Sequence, residues 1–317
     1  MLRSFLIYLS QAAWARRFVM RFGLARRTAL RFVAGEELED ALRVVAELNA
    51  EGMLVTLDLL GEHTHDAAAA GSATDAILNV LDHIAASGLK ASLSMKLTQV
   101  GLKLDNELCA ENLERIARHA ADLGIYVRID MEESAVVDAT LALFQRLRAQ
   151  GLGNLGLVIQ SYLYRSEDDT RALLAQGVAI RLVKGAYKEP PQLAYPKKAD
   201  VDAAFDRLTD LMLEASLKHK AKGAPATWPP LAAIGTHDEL CVDYARQRAS
   251  AIGLPQEKVE FQMLYGIRRE LQKQLVEQGY PVRIYVPFGR EWYPYFMRRL
   301  AERPANLWFF VSNLIRR

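Results

Sequence analysis

The strongest constraint on how this chain can fold is an alternation that begins near residue 40 and runs almost to the end. Short β-branched or apolar runs trade places with longer amphipathic stretches. The short runs are 53–59 (MLVTLDL), 91–97 (ASLSMKL), 125–130 (IYVRID), 155–160 (LGLVIQ), 179–184 (AIRLVK), 231–236 (LAAIGT), 259–263 (VEFQM) and 282–286 (VRIYV). Between them, 106–123, 199–219 and 266–278 carry apolar residues at helical spacing. Strands that alternate with helices imply parallel pairing through crossover helices. Eight such units in 317 residues fit a closed (β/α)8 TIM-type barrel of the α/β class better than a doubly wound sheet. Residues 1–50 read as two or three helices before the first strand. The expected organisation is an N-terminal helical arm over 1–50 and a barrel over 51–317.

Charge narrows the partners. The net charge is only +2, so the whole chain gives no argument for nucleic acid. Residues 1–35 nevertheless hold seven arginines and no acid, interleaved with Phe5, Trp14, Phe18 and Phe22. A basic amphipathic helix of that kind suits an anionic membrane interface; packing against the barrel is the other reading, and both stand. No run of 18 apolar residues exists, so no helix is expected to span a bilayer. The start imitates a signal peptide only faintly, its apolar stretch being broken by Ser10 and Gln11. Cys109 and Cys241 lie far apart in helical patterns and form no disulfide or zinc framework, which fits a reducing cytosol. The expected place is the cytoplasm, peripheral on the inner face of the membrane if the arm binds lipid.

In such a barrel the chemistry sits at the C-terminal ends of the strands. The polar residues there are Asp58, Lys96, Asp130, Gln160, Arg181, Lys184, Thr236, His237, Gln262 and Tyr285. Two apparent motifs elsewhere do not carry function. GLGNLG at 151–156 has the letters of a dinucleotide fingerprint, but a helix precedes it and a strand follows, the reverse of what that fingerprint needs. His63 and His65 suggest a metal hydrolase, yet among later strand ends only His237 offers an imidazole and the last strand ends without an acid.

Two segments carry more. RLVKGAY at 181–187 places Arg181 and Lys184 at a strand end, where cations meet an anion, whether a phosphate, a carboxylate or a reduced flavin. Gly185 allows a close approach to the backbone. An ion pair with Asp130 or Glu189 is the plainer alternative. In YFMRRLAE, Tyr295, Arg298, Arg299 and Glu302 fall at i, i+3, i+4 and i+7, on one helical face. Two neighbouring arginines can fork a carboxylate; a solvated face paired to Glu302 is the alternative.

Taken together, RLVKGAY (181–187), EFQMLYG (260–266), RIYVPFG (283–289) and YFMRRLAE (295–302) resemble the signature segments of the proline dehydrogenase family, in order and in placement, over almost all of residues 40–313. The likeness is to the bacterial single-function form rather than to bifunctional relatives that add an aldehyde-oxidising domain. It implies FAD-dependent oxidation of L-proline to 1-pyrroline-5-carboxylate, with hydride passing from C5 to flavin N5 and electrons going on to a membrane quinone. Residue by residue, it implies Lys96, Arg298 and Arg299 on the substrate carboxylate. Asp130, Ala186, Tyr187, Leu264, Tyr285 and Tyr295 would enclose the ring, with Asp130 as an organiser of Lys96 and Arg181. Arg181 would stand beside the flavin. Gln160, Lys184, Gly185, Ala186, Thr236 and His237, with the backbone at Met131, would hold FAD. Glu62 would close the site by pairing with the last helix. Two departures are visible: Asp238 stands where the family often has Asn, and the loop from Tyr285 to Tyr295 is shorter than in bifunctional relatives. A lysine Schiff-base lyase using Lys96 or Lys184 is a rival on the residues alone.

Overall fold

The eight strands close into a barrel in sequence order, and every neighbouring pair is parallel. The structure is a computed structural model that describes residues 31–61, 64–219 and 225–302, with 298–302 as backbone alone. The strands are β1 Leu54–Leu59, β2 Ala91–Met95, β3 Val127–Ile129, β4 Leu155–Gln160, β5 Ile180–Val183, β6 Ala232–Gly235, β7 Val259–Leu264 and β8 Val282–Phe288. The helices are α1 Leu38–Ala50, α2 Ala67–Ser87, α3 Asn106–Asp122, α4 Val137–Ala149, α5 Ser166–Ala175, α6 Lys198–Lys218, α7 Glu239–Ala251, α8 Arg269–Glu277 and α9 Trp292–Glu302.

The expected strands are all present, and their ends shift for local reasons. The run 91–97 stops as a strand at Met95 because Leu97–Val100 turns into a 3-10 helix that extended Lys96 caps. Strand 125–130 shortens to three residues. The last strand runs on to Phe288, because its pairing with β1 continues as far as Leu59. GLGNLG is a helix stop: α4 ends at Ala149, Gly151 takes φ +88° and β4 begins at Leu155.

Strand residues alternate between two cores. Leu57, Leu93, Val127, Leu157, Leu182, Phe261 and Ile284 face the helices and are buried in one apolar cluster. Their neighbours face the barrel interior, which is polar: Thr56, Ser92, Arg128, Glu260 and Arg283 are all buried there. Gly156 makes room for this, since a Cβ on it would lie 1.9 Å from the Tyr126 hydroxyl and 2.8 Å from Arg128. Arg128 donates to the carbonyls of Leu157 (2.9 Å) and Ala179 (2.5 Å), and burial pushes its pKa down to about 10. Trp228 covers the base, its ring 5.5 Å from that of Tyr126.

Of the expected arm, residues 1–30 lie outside the described residues. Helix α1 packs Val44, Val45 and Leu48 into the main core beside β1 and β8. The segment before it straps the last strand and helix: Ala34 N donates to Pro287 O at 2.9 Å, Trp292 donates to Glu36 at 3.1 Å, and Phe32 stacks near Phe296. Cys109 and Cys241 are buried free thiols. Among the described residues no helix is long and apolar enough to cross a membrane.

Candidate active site

Arg181, at the middle of β5, lies almost wholly buried at the C-terminal side of the barrel axis and is held from three strands. Its Nη1 donates to Asp130 Oδ1 beyond β3 at 2.8 Å and to Ser94 Oγ of β2 at 3.3 Å. Its Nε donates to Gln262 Oε1 of β7. Ser94 Oγ donates to the same Asp130 oxygen at 2.7 Å, and the Tyr285 hydroxyl of β8 donates to Asp130 Oδ2, also at 2.7 Å. Burial, then the nearby carboxylates of Asp130 and Asp58, hold the Tyr285 phenol well above its ordinary pKa, so it remains a proton donor. The guanidinium stands 5.3 Å from the Tyr285 ring centroid. With Nε and Nη1 engaged, Nη2 is the guanidinium nitrogen with no hydrogen-bond partner among the described residues.

One barrel position away, Lys96 at the end of β2 meets the fully buried Asp58 of β1, Nζ to Oδ2 at 3.4 Å. Among the described residues Asp58 is thus a carboxylate bonded to Lys96, and Asp130, expected to organise Lys96 and Arg181, is bonded to Arg181. Leu264 ends β7 half-buried, and its amide donates to His237 Nε2 at 2.9 Å. That bond makes Nε2 an acceptor and places the neutral ring's proton on Nδ1. Tyr295 is buried in the second turn of α9. Arg298 and Arg299 follow on the same helix, their side chains outside the described set, and Glu62 and His63 are likewise outside it.

The ion pair with Asp130, offered as the plainer alternative for the two cations at the end of β5, is made by Arg181. Lys184 pairs elsewhere: its Nζ lies 2.6 Å from Asp202 of α6 and 2.7 Å from Asp238, which also caps α7. Glu189 instead accepts from the backbone and hydroxyl of Ser134. Burial works against the Lys184 ammonium, but the bonds to Asp202 and Asp238 outweigh it and raise its pKa, so it is not the neutral amine a Schiff base requires. Asp238, the departure from the usual Asn, thus supplies half of the charge on Lys184. At Gly185, φ is +120° and a Cβ would fall 2.5 Å from the Tyr162 ring. What approaches this glycine on its Cβ side is a tyrosine of the preceding loop. Ala186 is exposed and Tyr187 half-buried beside it.

This cluster sets a pH dependence. Asp202 sits below its ordinary 3.8 because bonds from Lys184 and Lys198 overcome the burial that would raise it; Asp238 is lowered first by its bond to Lys184. Folded values below unfolded ones mean stability that is present above the unfolded pKa and lost as pH falls through the folded ones. We expect Asp238→Asn, which keeps an acceptor for the α7 cap, to lower the urea midpoint at neutral pH, with the gap to wild type closing well below pH 3.8. A gap that persists in acid would contradict the ion-pair account.

Gln160 closes this half of the mouth. Its amide donates to Glu132 O at 2.9 Å, and the buried Glu132 carboxylate accepts from Thr98 N (3.2 Å) and Thr98 Oγ1 (2.6 Å). Burial raises the Glu132 pKa against those bonds. The backbone of Met131 lies between Asp130 and this anchor. Thr236 Oγ1 accepts from the Asp238 amide at 3.1 Å, so its hydroxyl serves the turn into α7.

The structure therefore gathers Lys96, Asp130, Arg181, Leu264 and Tyr285 around one end of the barrel. It places Gln160, Lys184, Gly185, Thr236 and His237 on the adjacent ends of β4, β5 and β6. Asp58 and Gln262 stood among the strand-end residues with no role attached. Their parity along the strand pointed them inward, and that was the available signal. Asp202 gave none, being one acid among several on α6.

Comparison with known proteins shows the family. Residues 41–310 match the family model described as proline dehydrogenase. The chain is 37% identical to proline dehydrogenase 1 of Bacillus subtilis over 317 residues, all of both chains. It is 41% identical to proline dehydrogenase of Deinococcus radiodurans over 292 residues, 91% of this chain and 90% of that one. Among solved structures, proline utilization A from Bdellovibrio bacteriovorus, inactivated by N-propargylglycine, superposes with a TM-score of 0.79 at 26% identity. That match covers 88% of this chain and 33% of the longer one. A polar-cored eight-stranded barrel, a buried arginine–aspartate knot at its mouth and full-length kinship lead to one assignment: the chain belongs to the proline dehydrogenase family.

Proposed function

We propose that this enzyme oxidises L-proline to 1-pyrroline-5-carboxylate with FAD as its cofactor and a membrane quinone as the final electron acceptor. The observation that carries this reading is Arg181, fixed by Asp130 and Gln262 with one donor nitrogen left over, at the boundary between two sets of strand ends. The β4–β6 side offers an amide (Gln160), a paired cation (Lys184), an open glycine–alanine turn (Gly185, Ala186), a hydroxyl (Thr236) and an imidazole donor (His237). With the Met131 backbone, that donor set suits the phosphates and polar ring edge of a dinucleotide flavin. A flavin bound there supplies a two-electron acceptor for hydride.

The protein's own residues then bind and orient. Lys96, with Arg298 and Arg299 on α9, holds the proline carboxylate; Glu62 shuts the entrance by pairing with α9. Tyr187, Leu264, Tyr285 and Tyr295 wall the apolar ring and exclude water. Convergent cations on two oxygens fix which C–H faces the acceptor, and orientation of that kind is worth several kcal/mol of barrier, on the order of 7–11 at its best. Asp130 holds Arg181 and keeps the Tyr285 proton in place. The amine nitrogen must carry its lone pair when C5 loses hydride.

We read residues 51–317 as the FAD-binding barrel and 1–50 as an arm. Residues 1–30, ahead of the strap that packs on the barrel, would contact the anionic membrane that carries the quinone, with the catalytic domain on the cytoplasmic side. Purified enzyme should absorb in the flavin bands and bleach when proline is added anaerobically. A colourless preparation, or a yellow one indifferent to proline, overturns the proposal. Co-sedimentation with anionic liposomes, equal for the full chain and for one lacking residues 1–30, would remove the membrane contact.

A further inference from the structure

Behind Arg181 a chain of buried polar groups runs down the barrel axis. Arg181 Nε donates to Gln262 Oε1, and Gln262 Nε2 donates to Glu260 Oε1 at 2.5 Å. Glu260 is forked by Arg283, Nε to Oε1 at 2.9 Å and Nη2 to Oε2 at 3.0 Å. Arg283 is pinned in turn by Ser92 Oγ (3.1 Å), Val55 O (3.2 Å) and Thr227 O (2.8 Å). Glu260, Gln262 and Arg283 are 0%, 5% and 2% exposed, so solvent does not decide how these groups turn.

A primary amide has two orientations that exchange its acceptor oxygen and its donor nitrogen. Only one suits Arg181, which has donors alone; the other would set two buried donors against each other. Glu260 resolves the choice. An ionised carboxylate accepts and cannot donate, so it takes the NH2 of Gln262 and leaves the oxygen for Arg181. A buried Glu–Arg pair adds little stability over apolar side chains of the same volume, so the consequence of this one lies in what it orients. Asp130 grips the guanidinium from β3 and Gln262 from β7. Two grips from opposite walls fix its plane, and one alone would leave a hinge.

We infer that Glu260 is a positioning residue for proline oxidation: acting through Gln262, it fixes the plane of Arg181 and so the direction of its unengaged nitrogen. This rests on the proposed reading of Arg181 as the group beside the reacting atoms.

The test uses full-length enzyme carrying Glu260→Gln or Gln262→Leu, each alone and each combined with Arg181→Met. Bleaching of the bound flavin by proline is followed by stopped flow, together with KM, the thermal midpoint and the position of the flavin absorption band. Each single variant should slow bleaching about 10- to 100-fold, as loss of a supporting contact commonly does. KM should move by less than about threefold, since the carboxylate grip is elsewhere. The flavin band should shift in the same direction as it does in Arg181→Met. Added to Arg181→Met, either change should slow bleaching by less than about twofold, because there is nothing left to position. Should Glu260→Gln fail to fold, Gln262→Leu leaves the Glu260–Arg283 fork intact and carries the test. Single variants that bleach at the wild-type rate, or losses that persist in full on top of Arg181→Met, overturn the inference. If wild type itself binds no flavin or does not bleach, the reading of Arg181 falls and takes the inference with it.

Discussion

Asp130→Ala should lower kcat for proline by about 100- to 1,000-fold, the usual size of an effect when a fixed electrostatic element leaves an active site. The same change should cost about 3–5 kcal/mol of stability, because it strands a buried cation. Arg181 is 6% exposed and loses the one carboxylate bonded to it among the described residues, while the Ser94 and Tyr285 hydroxyls each lose a 2.7 Å bond at the same stroke. Asp130→Asn separates the two effects. Its carbonyl oxygen can still accept from Arg181 or Tyr285, so stability should return in part while the loss of charge beside Arg181 remains. Steady-state kinetics and urea unfolding on both variants decide it. An alanine variant within about threefold of wild type in kcat would show that the knot is not part of the machinery.

Lys96→Ala should raise the KM for proline by about 10- to 100-fold, as expected for losing a charge-assisted hydrogen bond worth about 1.5–3 kcal/mol. The flavin content should not change, since none of the proposed FAD contacts lies on that strand. Removal of the lysine also leaves Asp58, fully buried, without its 3.4 Å partner. Adding Asp58→Asn should therefore recover stability without recovering KM, which separates substrate binding from structural loss. Arg299→Lys should act in the same direction, because an ammonium cannot reproduce the two-pronged grip of a guanidinium. Normal proline kinetics in Lys96→Ala and in Arg299→Lys together would refute the carboxylate clamp.

Much of the site's layout was legible because barrel geometry makes it so. A residue at the end of a parallel strand must lie on the mouth, and alternation along the strand says which side chains enter the interior. Lys96, Asp130, Arg181 and Tyr285 could thus be placed from the position of their runs alone, whereas Leu264 came from the family resemblance. Their bonding could not. For the two cations at the end of β5 the sequence offered Asp130 or Glu189 as ion-pair partners, yet those of Lys184 are Asp202, 18 residues on, and Asp238, 54 residues on. Arg181 meets Asp130 across 51 residues, a pairing the sequence had offered, and Gln262 across 81, which it had not. Gly185 was legible as a point of close approach; that the neighbour would be the Tyr162 ring was not.

What the sequence determined by itself is the set of eight strands, their parallel order and the chemical character of each strand end. Those follow from local periodicity and the handedness of crossover connections, which need no partner to be known. Only the tertiary structure decided which charge neutralises which. Pairing depends on ångström-scale distances across a closed barrel, and closure brings together groups that the chain keeps dozens of residues apart. Asp58 on Lys96, Asp130 and Gln262 on Arg181, and Glu260 behind Gln262 are consequences of that closure.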